Sequence, residues 1–441
     1  MFRITALICS LLVCSVTQAQ PARPNIVFIM TDDAGYGDLG IYGAPDVRTP
    51  VLDQLARDGV RFTNFYSNGP TCSPTRAGLI SGRYQQRYNV EAPLPTAPRA
   101  EGRGLRAEGH SLPHLLKTAG YDTALVGKWH LGYEPDQSPE AHGFDYFFGF
   151  KAGFVDYYQH TNSDGEPDLW ENGQLVTEEG YMTDLITERA VRYIRERRNG
   201  PFFLSVQYNA PHWPYQPPDR PSVAPRNAAH LQPWEDNPGT RADYVAMLER
   251  VDQGVGQILE ALDEAGIADD TLVIYTNDNG GEWLSRNAPT TNRKFSVWEG
   301  GIRVPAIMRW PGVIPAGQVS EQVGITMDFT ATMLAVAGAT LPEGYTPEGI
   351  DLLPIVTGAA PPVERTLFWR AGNASAVRSG DLKLIQQGQQ LFFVFNVRED
   401  PAERNDLTNT SQADAKRLYG LLRAWHEDVD AEAATRQPAA P

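Results

Sequence analysis

Four short apolar runs stand out along the chain, at residues 25–30, 123–126, 202–208 and 271–276. Each is unbroken instead of alternating, which suits strands buried on both faces of a parallel sheet. Helical patterns lie between them at 50–58, 111–119, 182–197 and 241–265. Thr49 before Pro50 reads as an N-cap and first-turn pair. Gly59, Gly120, Gly200 and Gly266 stand where helices end. Strands alternating with helices predict an α/β sheet flanked by helices.

The last part of the chain reads differently. Strand-like runs at 366–370, 374–378, 382–385 and 391–395 are separated by tight turns such as Ser379-Gly380-Asp381. A helical pattern follows at 411–429. This predicts a small antiparallel sheet with one helix. The Pro-rich stretch at 354–362 marks the boundary, which gives a catalytic domain over 20–360, a subdomain over 361–430 and a disordered tail over 431–441.

The N-terminus reads as a leader. Arg3 precedes an apolar run at 4–16, too short to span a bilayer, and Thr17-Gln18-Ala19 is a small-residue cleavage site. Residues 1–19 are therefore expected to be a signal peptide, and the protein to be exported, periplasmic or secreted. Val13 is too large for a lipoprotein reading through Cys14. No later run predicts a transmembrane helix.

Composition narrows the classes. Of 441 residues, 41% are hydrophobic and 21% charged, an ordinary globular balance with no repeat or low-complexity tract. The formal net charge is -16, which argues against a nucleic-acid partner. An anionic substrate would need a local basic pocket. The three cysteines are Cys9, Cys14 and Cys72, and the first two lie in the leader. The mature chain thus keeps one thiol, which must be buried or chemically used in an oxidising compartment.

In an open α/β sheet, ligands bind beyond the carboxyl ends of the strands. The four runs lead into Thr31-Asp32-Asp33, Gly127-Lys128-Trp129-His130, Asn209-Ala210-Pro211-His212 and Asn277-Asp278-Asn279-Gly280. These groups would converge on one rim. Asp32, Asp33, Asp278 and Asn279 are hard oxygen donors, suited to Ca²⁺ or Mg²⁺ and poor for zinc. Strand-end acids alone often cap helices; two pairs on separate strands favour a metal. Cys72-Ser73-Pro74-Thr75-Arg76 opens a helix, which places Cys72 at an anion-favouring N-terminus with Arg76 one turn on. Lys128 and His130 flank Trp129 on a strand extension and would point the same way. His110, His114, His142, His160 and His230 carry no motif and read as structural. Glu299-Gly300-Gly301 reads as a turn.

The stretch CSPTRAGLISGR resembles the signature of type I sulfatases, and TDDAGYGDLG, GKWHLG, PHWP, NDNGG and KFSVWEGGIRVP resemble that family's other blocks in its order. The resemblance covers nearly the whole mature chain. It implies an alkaline-phosphatase-like fold, a mixed and mostly parallel sheet with a smaller C-terminal antiparallel sheet. It also implies that Cys72 is oxidised to formylglycine by a maturation enzyme. One hydroxyl of the hydrated aldehyde would attack sulfur and the second would let the product collapse, a route a serine lacks. The matching calcium ligands are Asp32, Asp33, Asp278, Asn279 and an oxygen of modified Cys72, with Asp278 also able to take the nucleophile's proton. Arg76 would hold the modified residue. Lys128, His212 and Lys294 would bind sulfate oxygens, His130 would act during collapse, and His212 or Lys128 would protonate the leaving oxygen.

Two positions depart from the pattern. Asn277 stands where the family often has Ser. Asn292-Arg293 stands where it shows glycines, so Arg293 could share or replace the role of Lys294. The blocks are most similar to carbohydrate sulfatases of the N-acetylgalactosamine-6-sulfatase type. Trp213, Tyr215, Trp234, Trp283 and Tyr157-Tyr158 could stack on sugars, which favours a sulfated carbohydrate as substrate. The rival readings are a phosphonate monoester or phosphodiester hydrolase of the same fold, and a non-catalytic binder of sulfated glycans.

Overall fold

A computed structural model describes residues 23–96, 102–196, 200–221 and 239–436. The leader, Arg197, His230, Trp234 and residues 437–441 lie outside the described residues. The strands in chain order are β1 (Asn25–Thr31), β2 (Val60–Phe62), β3 (Phe65–Tyr66), β4 (Asp122–Lys128), β5 (Tyr146–Phe150), β6 (Trp170–Glu171), β7 (Gln174–Leu175), β8 (Phe202–Gln207), β9 (Thr271–Asn277), β10 (Ala306–Arg309), β11 (Gln318–Ser320) and β12 (Gly324–Ile325). The last four are β13 (Thr366–Ala371), β14 (Ala374–Ser379), β15 (Leu382–Gln387) and β16 (Leu391–Asn396).

Ten strands form the main sheet in the order β11-β2-β10-β9-β1-β8-β4-β5-β6-β7. The block β9-β1-β8-β4-β5 is parallel throughout. The antiparallel partners are β10 beside β9 and the short β6–β7 pair at the far edge. All four apolar runs are central strands, and their carboxyl ends share one rim.

Side chains alternate across the sheet, so β1 feeds two cores. Val27 and Ile29 face the helices Met182–Arg195 and Arg241–Glu264 through Leu185, Ile186, Met247 and Val251. Ile26, Phe28 and Met30 face the helices Cys72–Ser81, Leu112–Thr118 and Thr326–Ala337 through Leu79, Leu115, Phe329 and Met333. Each such buried side chain contributes about 1.5–3 kcal/mol over exposure. This two-layer burial holds β1 rigid at the point where the site begins.

The predicted helix ends hold in part. Gly120 and Gly266 take left-handed φ of 87° and 68° just past their helices. Gly59 does not; it is small because a Cβ there would lie 2.1 Å from the Met308 carbonyl oxygen. Thr49 precedes a helix with Pro at its start, but its hydroxyl makes no cap bond; it accepts from the Gly40 amide and donates to Asp53.

The subdomain is the antiparallel sheet β13-β14-β15-β16 with the helix Gln412–Thr435. That helix continues past the expected start of a disordered tail at residue 431, because Ala-Glu-Ala-Ala-Thr are residues a helix accepts readily. Its Leu418, Leu422 and Trp425 pack with Trp369 and Leu384, and with Tyr66 and Tyr84 of the main domain. Trp369 Nε1 also donates to the Ser67 carbonyl at 2.8 Å. The subdomain thus supports the segment that leads into Cys72.

Candidate active site

Cys72 is the first residue of the helix Cys72–Ser81, all of whose residues are buried. Pro74 fits this first turn because no helical hydrogen bond is lost there. The Cys72 Sγ lies 3.4 Å from Asp32 Oδ1. Burial, with Asp278 and Asp32 nearby, pushes the thiol well above its ordinary pKa. Arg76 reaches the same point: its Nη2 lies 3.5 Å from Asp32 Oδ2 and 3.3 Å from Asp278 Oδ2. Its Nη1 donates to Gln207 Oε1 at 2.9 Å and to the Lys128 carbonyl at 3.2 Å.

Adjacent residues of a strand point to opposite faces, so Asp32 and Asp33 need a turn to meet. Asp33 provides it with a φ of 65°. Its Oδ1 accepts from Asn279 Nδ2 at 2.7 Å, and its Oδ2 accepts from Lys294 Nζ at 2.8 Å. The Asp33 amide donates to Asp278 Oδ1 at 3.3 Å. Asn277 fastens this arm: its Nδ2 donates to the carbonyl of Ala34, at 2.9 Å, and to that of Asn279. Ligand atoms of Asp32, Asp33, Cys72 and His212 lie within 4.8 Å of one another. Asn279 Oδ1 is buried without a hydrogen-bond partner. This set of oxygen donors fits a divalent cation.

Cations offset the acids. Lys128 is fully buried and its Nζ donates to Asp32 Oδ2. Burial pushes the Asp32 carboxyl up, but Lys128, His212, Arg76 and Lys294 together hold it below the usual carboxylate range. Burial and the Asp32 charge push Asp278 the other way, upward. A bound dication would oppose that rise.

His212 lies 3.5 Å from Asp33 Oδ2 through Nε2. Its Nδ1 faces the Trp213 carbonyl, which can only accept, so Nδ1 carries the proton. Burial and Lys294 lower its pKa to about 4. Phe154 stacks on this ring at 5.7 Å, and Tyr157 donates to the carbonyls of Asn209 and His212, both at 2.9 Å. His130 donates from Nε2 to the Leu94 carbonyl at 2.9 Å, which leaves a lone pair on Nδ1, buried and unpartnered. Burial and Lys128 hold this imidazole well below its ordinary pKa.

Asp32, Asp33, Cys72, Arg76, Lys128, His212, Asp278, Asn279 and Lys294 are thus brought together, with His130 beside them. Two expectations need correction. β4 ends at Lys128, and His130 has a φ of 54°, so the two do not sit on one strand extension. Arg293 is exposed, its guanidinium 5.5 Å from the Trp283 ring centre, while Lys294 alone turns inward. Arg293 therefore does not replace Lys294.

A sulfatase family profile matches residues 24–339, and an N-sulphoglucosamine sulphohydrolase C-terminal profile matches residues 292–424. The chain belongs to the sulfatase family. Its relatives include the N-acetylgalactosamine-6-sulfatase of Rattus norvegicus, 36% identical over 82% of this chain and 71% of the relative. The Homo sapiens enzyme of that name is also 36% identical, over 80% and 69%. Among solved structures, Ps i-CgsB in complex with k-i-k-neocarrahexaose is 30% identical with a TM-score of 0.83, covering 91% of this chain and 92% of that one. PsFucS1 sulfatase from Pseudoalteromonas sp. is 25% identical with a TM-score of 0.76, covering 93% and 91%. The chain is accordingly a sulfuric ester hydrolase of alkaline-phosphatase-like fold.

Three residues of this sulfatase's site escaped the sequence reading as functional groups. Gln207, which orients Arg76, is a polar residue at the end of a buried apolar strand, and that contrast was the available signal. Asn277 was visible only as a departure. Glu282 lies near Lys294 and Arg293, and burial pushes its carboxyl up; nothing in the sequence marked it. The aromatic candidates separate sharply. Trp213 and Tyr215 are 4% and 6% exposed and belong to the core, whereas Trp283 is 50% exposed. Tyr157 is buried, and Tyr158 donates to the Pro217 carbonyl at 2.8 Å.

Proposed function

We propose that this sulfatase hydrolyses sulfate esters of a sulfated carbohydrate, with formylglycine made from Cys72 and one calcium ion. The observation that carries the reading is Cys72 at the first turn of a buried helix, 3.4 Å from Asp32, whose other oxygen meets Arg76 and Lys128. The carbohydrate assignment draws on the relatives named for N-acetylgalactosamine-6-sulfate chemistry and on the structure bound to neocarrahexaose.

Asp32, Asp33, Asp278 and Asn279 would hold the calcium; a hard-oxygen set makes magnesium the alternative. When bound, the cation supplies Lewis acidity and the oxidised Cys72 supplies an oxygen nucleophile. Arg76, braced by Gln207 and the Lys128 carbonyl, fixes residue 72 against both aspartates. Asp278 would accept the proton of the attacking hydroxyl. Lys128, His212 and Lys294 would donate to the sulfate oxygens. His212 is neutral on its own, so it would gain the leaving-group proton only when an anion offsets Lys294; otherwise Lys128 carries that role. The free Nδ1 of His130 would accept a proton during product release.

We further propose export by the N-terminal leader and maturation by a formylglycine-generating enzyme. Among the described residues no helix is long and apolar enough to cross a membrane. The test pairs two esters of one sugar, a sulfate and a phosphate or phosphonate. Faster turnover of the sulfate supports the assignment. Turnover of the phosphorus ester alone would replace it with the phosphoester reading.

A further inference from the structure

The segment that carries Lys294 presents two faces. The Lys294 amide donates to the Gly281 carbonyl at 3.2 Å, and the Phe295 amide donates to the Pro70 carbonyl at 2.9 Å. These bonds clamp it between the end of the Asp278-Asn279 turn and the approach to Cys72. Lys294 turns inward to Asp33, and its neighbours Arg293 and Phe295 turn outward.

The outward face is unusual for a soluble protein. Among the described residues, eight large hydrophobic side chains are exposed, and only Trp283 and Phe295 are aromatic. Both lie on the two segments joined by the Lys294–Gly281 bond. Phe295 is 60% exposed and takes a φ of 71°. A bulky aromatic rarely adopts that backbone, and an exposed ring gives little packing in return. Such strain persists where the surroundings impose it, and it gathers at ligand sites. Trp283 lies four positions beyond Asn279, with the Arg293 guanidinium over its ring.

We infer that Trp283, Arg293 and Phe295 form an outer subsite for a second sugar of an anionic oligosaccharide. This rests on the sulfate-ester reading of the inner site and adds the chain length and charge of its substrate. A flat aromatic face suits the apolar face of a sugar ring. An exposed guanidinium suits a second sulfate or a carboxylate on that sugar, which it can meet through two donors. The acid that feels the Arg293 charge is Glu282, on which Lys294 acts more strongly. The favoured substrate is therefore an oligosaccharide carrying a second anionic group next to the sulfated residue, instead of an isolated sulfated sugar.

The test measures kcat/KM for a sulfated monosaccharide, a monosulfated disaccharide and a disulfated disaccharide. Trp283→Ala is expected to lower the preference for disaccharide over monosaccharide by roughly tenfold, with Trp283→Phe retaining it. Arg293→Gln is expected to lower only the preference for the disulfated over the monosulfated disaccharide, and to remove the salt dependence of that preference. Unchanged preferences in both variants would overturn the subsite. If the wild type released no sulfate, the sulfate-ester reading itself would fail. Binding of the disulfated disaccharide by calorimetry would then decide the subsite: weakening by Arg293→Gln supports it, and equal binding overturns it.

Discussion

The Asn277 side chain makes a two-bond clasp on the backbone of Ala34, accepting from its amide at 3.1 Å and donating to its carbonyl at 2.9 Å. The clasp ties the turn after β1, with Asp32 and Asp33, to the turn after β9, with Asp278 and Asn279. The two loops proposed to supply ligands to one cation are thereby held in register. A serine hydroxyl can also accept and donate, but it is shorter and must make both bonds through one oxygen. Asn277→Ala is expected to lower cation affinity by roughly 10–100-fold, the usual cost of losing support behind metal ligands. It should cost about 1–3 kcal/mol of stability through unpaired backbone groups. Asn277→Ser should fall between. Calcium titration followed by thermal melting reads both effects.

Removal of the cation makes its own prediction. A ligand that binds only the folded state adds about 2.7 kcal/mol at a hundred times its Kd. Calcium should therefore raise the melting temperature in a concentration-dependent way, and chelation should abolish sulfate release. Asp278→Asn is expected to lose most of the calcium-dependent shift. A full shift in that variant would place the ion elsewhere.

A second buried charge group joins the subdomain to the main domain. Lys383 on β15 lies 2.9 Å from both Glu299 and Glu403, and Glu299 Oε2 accepts from the Tyr66 hydroxyl at 2.7 Å. Removing Lys383 takes the ion-pair partner from Glu403 and leaves Glu299 with Arg303, 3.4 Å away. Lys383→Met should cost about 3–5 kcal/mol, measured by urea denaturation. The double change Lys383→Met with Glu299→Gln should recover part of that loss.

The C-terminal helix gives a pH dependence. Burial opposes ionisation of Glu432, but hydrogen bonds and charge from Arg83 and Arg436 win and lower its pKa from 4.5 to about 2. A depressed carboxyl pKa stabilises the fold above its unfolded value, and that stability is lost as pH falls from about 4.5 to 2. Its side chain is 27% exposed, so after solvent screening the contribution is roughly 1–2 kcal/mol. Glu432→Gln should therefore lower stability near pH 6 and match the wild type near pH 2, in melting curves across that range.

Most of the inner site was legible because chemistry and fold used the same residues. The apolar runs that became β1, β4, β8 and β9 end directly in the polar groups that meet on the rim. The sheet's flanks were harder. β2 is three residues and β10 four, too short for a pattern, and Thr326–Ala337 is apolar on nearly all sides, so no helical period shows. The division of labour at residues 292–295 was invisible for a different reason. It depends on left-handed backbone at Asn292 and Phe295; Asn adopts that conformation readily, but nothing marks a Phe for it. That turn sends Lys294 inward and Arg293 outward. The C-terminal helix outran its expected end because helix formers continue to Thr435 and ion pairs from Arg83 and Arg87 hold its last turns.

The most direct measurement is sulfate release from a panel of sulfated oligosaccharides by calcium-loaded protein whose Cys72 peptide has the mass of the aldehyde. Sulfate is expected from at least one member, and none from Cys72→Ala under the same conditions. Equal release by the Cys72→Ala protein, or turnover of a phosphodiester or phosphonate ester with no sulfate from any member, would contradict that expectation.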